Sequence, residues 1–167
     1  MNYEIIENFL PQPLWNNYNN FFFKDEEMLF HYRGSVADKD DTTAFYFNRL
    51  LQAFNQIYDP IYFKLVVPLL YHGNVFNPQR SIVNCYIKQE KPLETGIHTD
   101  HSFDHKVLLY AINTNNGYTV LDPKGKNIKL PSIANQAVIF DGDIEHMAVT
   151  QTDENVRINI NTTFIPT

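Results

Sequence analysis

At 167 residues, with 44% hydrophobic and 19% charged residues, the chain is the size of one domain and can bury most of a core without disulfides or metals as staples. A formal net charge of -6 and the lack of any Lys or Arg run argue against nucleic acid or an anionic membrane as partner. Cys85 is the only cysteine, which excludes an internal disulfide or a multi-thiolate zinc site, and 13 Phe with 10 Tyr argue against disorder.

The opening residues Met1 to Glu4 have no basic and apolar leader pattern, and no stretch approaches the length of a membrane span. A soluble cytoplasmic protein is expected. Residues 3–10 read as a short strand closed by Pro11 and Pro13. From Pro13 the positions Leu14, Trp15, Tyr18, Phe21 and Phe22 follow the three-and-four spacing of an amphipathic helix. A second helical pattern runs through Phe47, Leu50, Leu51 and Phe54, and a third from about Pro60 to Leu70, where Pro68 shortens it.

After residue 79 the texture changes to short β runs broken by turn signals. Strands are expected at Ser81 to Ile87, Lys106 to Ile112, Tyr118 to Leu121, Lys126 to Leu130, Ala137 to Phe140 and Val156 to Phe164, with short pieces near the histidines. Asn113 to Gly117 reads as a turn, and Asp122-Pro123-Lys124-Gly125 as a type I turn. About eight strands fit the jelly-roll count. Without repeats, low-complexity segments or linkers, residues 1–167 read as one domain, with 1–78 as flanking support and 79–167 as a β-barrel core.

His98 and Asp100 are two apart, so on a strand their side chains share a face. Alone the pair carries little, because six His and 19 acidic residues in 167 positions generate about 0.7 such spacings at random. Later residues add the weight. His146 lies 46 positions after Asp100, far enough for several strands to bring the chain back, and Arg157 lies 11 positions after His146. The run Val156 to Asn161 alternates strictly, placing Arg157, Asn159 and Asn161 on one face and three aliphatics on the other. Two imidazoles and a carboxylate can occupy one face of an octahedral iron(II) ion and leave positions open. An ordinary strand with a solvated outer face is the alternative.

In this ordered set the second half of the chain resembles the 2-oxoglutarate and iron(II)-dependent oxygenases, particularly the prolyl-hydroxylase-like branch. The resemblance runs from Asn84-Cys85-Tyr86 through His98-Thr99-Asp100, Leu109 to Asn113 and Gly117 to Leu121, to Phe140-Asp141, His146 and Arg157. It implies a double-stranded β-helix, a jelly-roll barrel with N-terminal helices packed outside. It also implies that His98, Asp100 and His146 bind Fe(II) and that Arg157 binds the distal carboxylate of 2-oxoglutarate, with ascorbate as reductant in assays. A peptidyl or small-molecule substrate is then hydroxylated, with release of succinate and carbon dioxide. Tyr86 stands where that branch often has a tyrosine lining the cosubstrate pocket, and Asn84 shares its face; a tyrosine packed in an aromatic core is the other reading. One departure is Asn116-Gly117, where the family often has two glycines.

His101 and His105 are rival ligands by spacing, but their segment reads as a loop, which favours solvated or substrate-facing roles. His31 and His72 read as structural. A cupin-like metal protein that isomerises or binds a small polar ligand without 2-oxoglutarate, and a non-catalytic binding module, are the competing functions.

Overall fold

The computed structural model of the chain describes residues 2–25, 28–35, 44–122 and 124–166. In chain order the elements are β1 (Tyr3–Ile6), α1 (Gln12–Asn20) with a π-helical turn over Phe21–Asp25, β2 (His31–Arg33), β3 (Tyr46–Ala53), β4 (Gln56–Ile57), α2 (Tyr62–Leu65) and α3 (Val67–His72). There follow β5 (Pro78–Ile87), β6 (Lys106–Ala111), β7 (Asn115–Leu121), β8 (Ile128–Ser132), β9 (Gln136–Asp141), β10 (His146–Val149) and β11 (Val156–Phe164).

Two antiparallel sheets face each other. The larger has the order β1-β9-β6-β11-β5-β3-β2, with β4 paired to β3, and the smaller has the order β10-β7-β8. The last strand, β11, sits between β5 and β6. The fold is mainly β, a jelly roll wound as a double-stranded β-helix, as the strand count and the resemblance imply.

Alternation gives β5, β6 and β11 two faces. On one, Val83, Cys85, Leu108, Tyr110, Ile158 and Ile160 join Tyr18, Phe21, Leu65 and Leu69 from the helical side in a single buried cluster. Burial of each large apolar side chain there contributes about 1.5–3 kcal/mol. The Tyr18 hydroxyl donates to the Leu65 carbonyl at 2.7 Å and so ties α1 to α2. On the other face, Val107, Val138 and Phe140 meet Leu121 and Leu130 of the smaller sheet. The polar residues of that face, Asn84, Asn159 and Asn161, are left around a cavity between the sheets.

The N-terminal segment also enters the larger sheet, β1 beside β9 and β3 beside β5. Asn135 holds the chain after β1. Its Oδ1 accepts from the Leu10 N–H and from the Tyr110 hydroxyl, and its Nδ2 donates to the Leu10 carbonyl, all at 2.9 Å. Asn135 adopts φ 60°, a left-handed conformation that asparagine tolerates better than most residues.

Several local expectations change. The first strand stops at Ile6, because Asn8 turns the chain at φ 50° and the Phe9 N–H leaves the sheet for the Asn135 carbonyl at 2.9 Å. The segment through Phe47, Leu50 and Leu51 is the strand β3, not a helix. A bulge between Leu50 and Gln52 leaves Leu51 without a partner on β5, so apolar residues from two faces imitate helical spacing. The third helix is two short ones. Pro68 has no N–H to give to the Lys64 carbonyl, the chain breaks at Val66, and α3 continues to His72.

In the β region, β7 already begins at Asn115, so the turn before it is shorter than 113–117. The strand expected from Lys126 starts at Ile128, after Asn127 at φ 53°, and extends through Pro131. Proline is acceptable there because β8 is an edge strand. In the turn after β7 the Gly125 N–H donates to the Asp122 carbonyl at 3.1 Å; Pro123, on which its type depends, lies outside the described residues. Among the described residues no helix is long and apolar enough to cross a membrane.

Candidate metal centre

His98, Asp100 and His146 come together at the wall of the cavity between the sheets, with one donor atom from each lying within 4.8 Å of the others. His146 opens β10, while His98 sits on an irregular segment that meets β10 at two isolated bridges, Glu94 with Val149 and His98 with His146. The two residues exchange both backbone hydrogen bonds, His98 N–H to the His146 carbonyl at 3.0 Å and the reverse at 2.9 Å. Directly opposed residues of an antiparallel pair project to the same side. The two imidazoles accordingly lie 4.5 Å apart, centre to centre.

The protons on these rings are fixed by their neighbours. Nδ1 of His98 lies 3.1 Å from the Gly96 carbonyl, and Nδ1 of His146 lies 3.1 Å from the Ile144 carbonyl. A carbonyl only accepts, so each Nδ1 carries the hydrogen and each Nε2 presents a lone pair. Desolvation pulls the His146 pKa below its ordinary value, aided by His98 and His105 and opposed by Asp100 and the Ile144 bond. The neutral, metal-competent form of His146 is therefore favoured.

Asp100 is held as an anion. Burial pushes its pKa up, but His146, Arg80, the Asn161 hydrogen bond and His98 together bring it below the ordinary carboxylate range. Its two oxygens have different surroundings. Oδ1 is ion-paired with Nη2 of Arg80, whereas Oδ2 accepts from Asn161 Nδ2 at 3.3 Å and lies 3.8 Å from His146 Nε2. Oδ2 is thus the oxygen that faces His146, an arrangement suited to one-oxygen coordination.

Arg157 is 3% exposed on β11, with Tyr86 as its register partner on β5. Its Nη1 donates to the carbonyls of Tyr118 and Val149, both at 3.1 Å, and its Nη2 to Thr119 Oγ1 at 2.9 Å. A guanidinium has five N–H donors, so two remain, and the buried Nε is without a partner. Among the described residues no carboxylate lies within ion-pair distance of it. Burial lowers its pKa, and Tyr86, whose ring centre is 5.4 Å from the guanidinium carbon, opposes that. Tyr86 lines the main cavity of about 280 Å³ and stacks on Tyr46 at 5.4 Å, so it is at once a packed aromatic and a cavity wall. Its hydroxyl pKa is raised by burial, which Arg157 partly offsets. A smaller cavity of about 20 Å³ beside Arg157 shares Leu109, Thr119 and Asn159 with the main one.

Gly117 makes room for this arginine. A Cβ there would lie 2.9 Å from Asn115 Oδ1, 3.0 Å from the Val149 carbonyl and 3.1 Å from Arg157 Cδ. Asn115 is pinned by a 3.1 Å bond to Ser132 Oγ, and the Val149 carbonyl already accepts from Arg157. Gly117→Ala is expected to cost about 1–3 kcal/mol, the usual range for overpacking. Its urea midpoint should fall; a midpoint equal to the parent's would show that these neighbours yield.

The other histidines do not join the cluster. His105 is 2% exposed, not solvated as its loop position predicts. Its Nδ1 donates to the Phe103 carbonyl at 2.8 Å, and its ring fills the space beside Gly142, where a Cβ would come within 2.3 Å of it. His101 is half-buried, stacks on Phe103 at 4.6 Å and bonds Thr163 Oγ1 at 2.9 Å. Burial, then Arg80 and His105, push its pKa down to about 4 against the pull of Asp100. His31 and His72 are exposed on β2 and α3.

Two cavity residues escape the pattern of the sequence. Arg80 precedes the expected start of its strand, and Tyr46 falls just before the segment with helix-like spacing. The signal for Arg80 is the alternation Arg80-Ile82-Asn84-Tyr86, all four of which line the cavity.

No protein-family model matches the sequence, and no curated protein matches it. Solved structures do. A prolyl hydroxylase from Trichoplax adhaerens, in complex with a hypoxia inducible factor oxygen degradation domain peptide fragment, aligns with a TM-score of 0.65 at 14% identity, over 98% of this chain and 83% of that one. A prolyl-4-hydroxylase from Pseudomonas putida aligns with a TM-score of 0.63 at 12% identity, over 98% and 92%. The non-heme alpha ketoglutarate dependent epimerase SnoN from nogalamycin biosynthesis aligns with a TM-score of 0.64 at 11% identity, over 98% and 77%. The chain thus shares the fold of prolyl hydroxylases and other 2-oxoglutarate and iron(II) oxygenases, and one fold serves hydroxylation and epimerisation alike.

Proposed function

We propose that this chain is a 2-oxoglutarate and iron(II)-dependent dioxygenase that hydroxylates a peptidyl or small-molecule substrate. The observation that carries the reading is the convergence of His98, Asp100 and His146 within 4.8 Å in a cavity that a buried, anion-free arginine adjoins. The donor set fits the ion, since one donor atom from each of the three residues lies within 4.8 Å of the others and each histidine is oriented by a backbone carbonyl at its Nδ1. The unpartnered Nε of Arg157 fits the distal carboxylate of 2-oxoglutarate.

In this reading His98, Asp100 and His146 hold iron(II) on one side and leave the cavity side open. Arg157 orients the cosubstrate by a charge-assisted bond, and Thr119, itself bonded to Arg157, fixes the angle of the guanidinium. Tyr86 and Tyr46 close the wall against water. When bound, iron(II) with 2-oxoglutarate and oxygen supplies the oxidising chemistry, converting cosubstrate to succinate and carbon dioxide and placing one oxygen atom on the substrate.

The test is made on protein loaded anaerobically with iron(II). Addition of 2-oxoglutarate should produce a visible absorption band and, at about 100 times its Kd, add about 2.7 kcal/mol of stability. Air and ascorbate should then release succinate. No band and no stabilisation would overturn the reading.

A further inference from the structure

The charges around the cavity do not balance with iron and cosubstrate alone. Asp100 is the only acid among the described residues that line the main cavity and the small one beside Arg157. Two arginines stand against it, Arg157 at the inner end and Arg80 on the wall of β5. In the proposed dioxygenase, a divalent ion and two guanidinium groups face one carboxylate and a dianionic cosubstrate, while the histidines are neutral ligands. One positive charge is left over.

That charge belongs to Arg80. Arg157 has the 5-carboxylate of the cosubstrate as its counter-ion. Arg80 has only Asp100 Oδ1, an oxygen of the same carboxylate that the metal would draw on through Oδ2. Two cations sharing one carboxylate weaken each other's hold on it, and an unbalanced charge in a partly desolvated place is costly. Arg80 has donors to spare, because among the described residues only one of its five N–H groups, on Nη2, is engaged, by Asp100 Oδ1. Its side chain is 25% exposed, so it is reachable from the open part of the cavity. Beside it stand Thr163, its register partner on β11, and His101, which bonds Thr163 Oγ1 at 2.9 Å, with Asn161 on the same cavity wall.

We propose that Arg80 is the substrate-selecting residue of this site and that the substrate carries a carboxylate, which pairs with Arg80 beside the metal. This rests on the dioxygenase reading. A carboxylate matches the single residual charge and the planar guanidinium fork, whereas a phosphate would bring about two charges to a place that lacks one.

The experiment uses full-length protein loaded with Mn(II) and saturating 2-oxoglutarate, so that turnover plays no part. The probes are N-acetylglycine and its amide, N-acetylglycinamide, followed by the proton relaxation that Mn(II) imparts to their methyl groups. The acid should be relaxed at least about tenfold more strongly than the amide, as expected for a hydrogen bond to a charged group. Arg80→Gln should abolish that preference and Arg80→Lys retain part of it. N-acetyl-pentaglycine and its amide form a second pair; preference for the acid in this pair points to a peptide terminus, and preference in the short pair alone points to a small acid. Equal or absent relaxation by acids and amides in the parent, or a preference undiminished in Arg80→Gln, overturns the proposal. The absorption band of the iron(II) protein with 2-oxoglutarate is recorded for all three proteins. Loss of that band from the parent signals failure of the dioxygenase reading, and a band with no acid preference signals failure of the Arg80 assignment alone.

Discussion

Alanine at His98, Asp100 or His146 is expected to lower succinate formation from 2-oxoglutarate by at least about 100-fold, since residues that only support metal ligands already cost 10–100-fold when removed. The loss should be specific to chemistry. The bonds that hold His98 against His146 are made by the backbone, so alanine in either place leaves the pairing intact and the far-ultraviolet circular dichroism unchanged. Asp100→Ala differs from the other two because it strands Arg80 without its partner as well as removing a ligand. It should therefore show the larger fall in thermal stability, while His98→Ala and His146→Ala show mainly reduced iron(II) affinity in a competitive chelator titration. Full turnover in any one of the three would remove that residue from the metal site.

Arg157→Ala should act on the cosubstrate and spare the ion. Truncating one side of a buried charge pair costs at least about 2 kcal/mol, which corresponds to a rise of about 30-fold in the KM for 2-oxoglutarate. Iron(II) affinity measured without cosubstrate should match the parent, because no ligand atom contacts the guanidinium. The substitution also frees the Tyr118 and Val149 carbonyls, so Arg157→Lys serves as the check on folding: it keeps the charge and part of the bonding and should give an intermediate KM. An unchanged KM in both variants would rule out Arg157 as the carboxylate anchor.

How far the sequence goes depends on how regular each strand is. The alternation from Val156 to Asn161 is uninterrupted, and so the face shared by Arg157, Asn159 and Asn161 is legible from residue order alone. The same rule applied to β5 finds Asn84 and Tyr86, and it misses Arg80 only because the strand begins at Pro78 rather than Ser81. Irregularity hides the rest. The unpaired Leu51 shifts the register of β3, giving apolar spacing that mimics a helix and obscuring the strand that brings Tyr46 to the cavity. Burial of His105 depends on Gly142, which is 37 positions away and signals nothing locally. The attachment of the N-terminal segment depends on Asn135, a polar side chain that hydrophobic patterning reads as surface.

The backbone exchange between His98 and His146 bears on how the ion is taken up. The two residues are 48 positions apart, and bringing the ends of so long a segment together in the unfolded chain costs roughly 3 kcal/mol of chain entropy. In small metal-nucleated domains the metal itself must meet that cost, so uptake and folding are one event. Here backbone pairing between the two residues contributes to meeting that cost. At the proposed metal site, less of an ion's coordination energy would then be needed to gather the chain and more would be available for affinity.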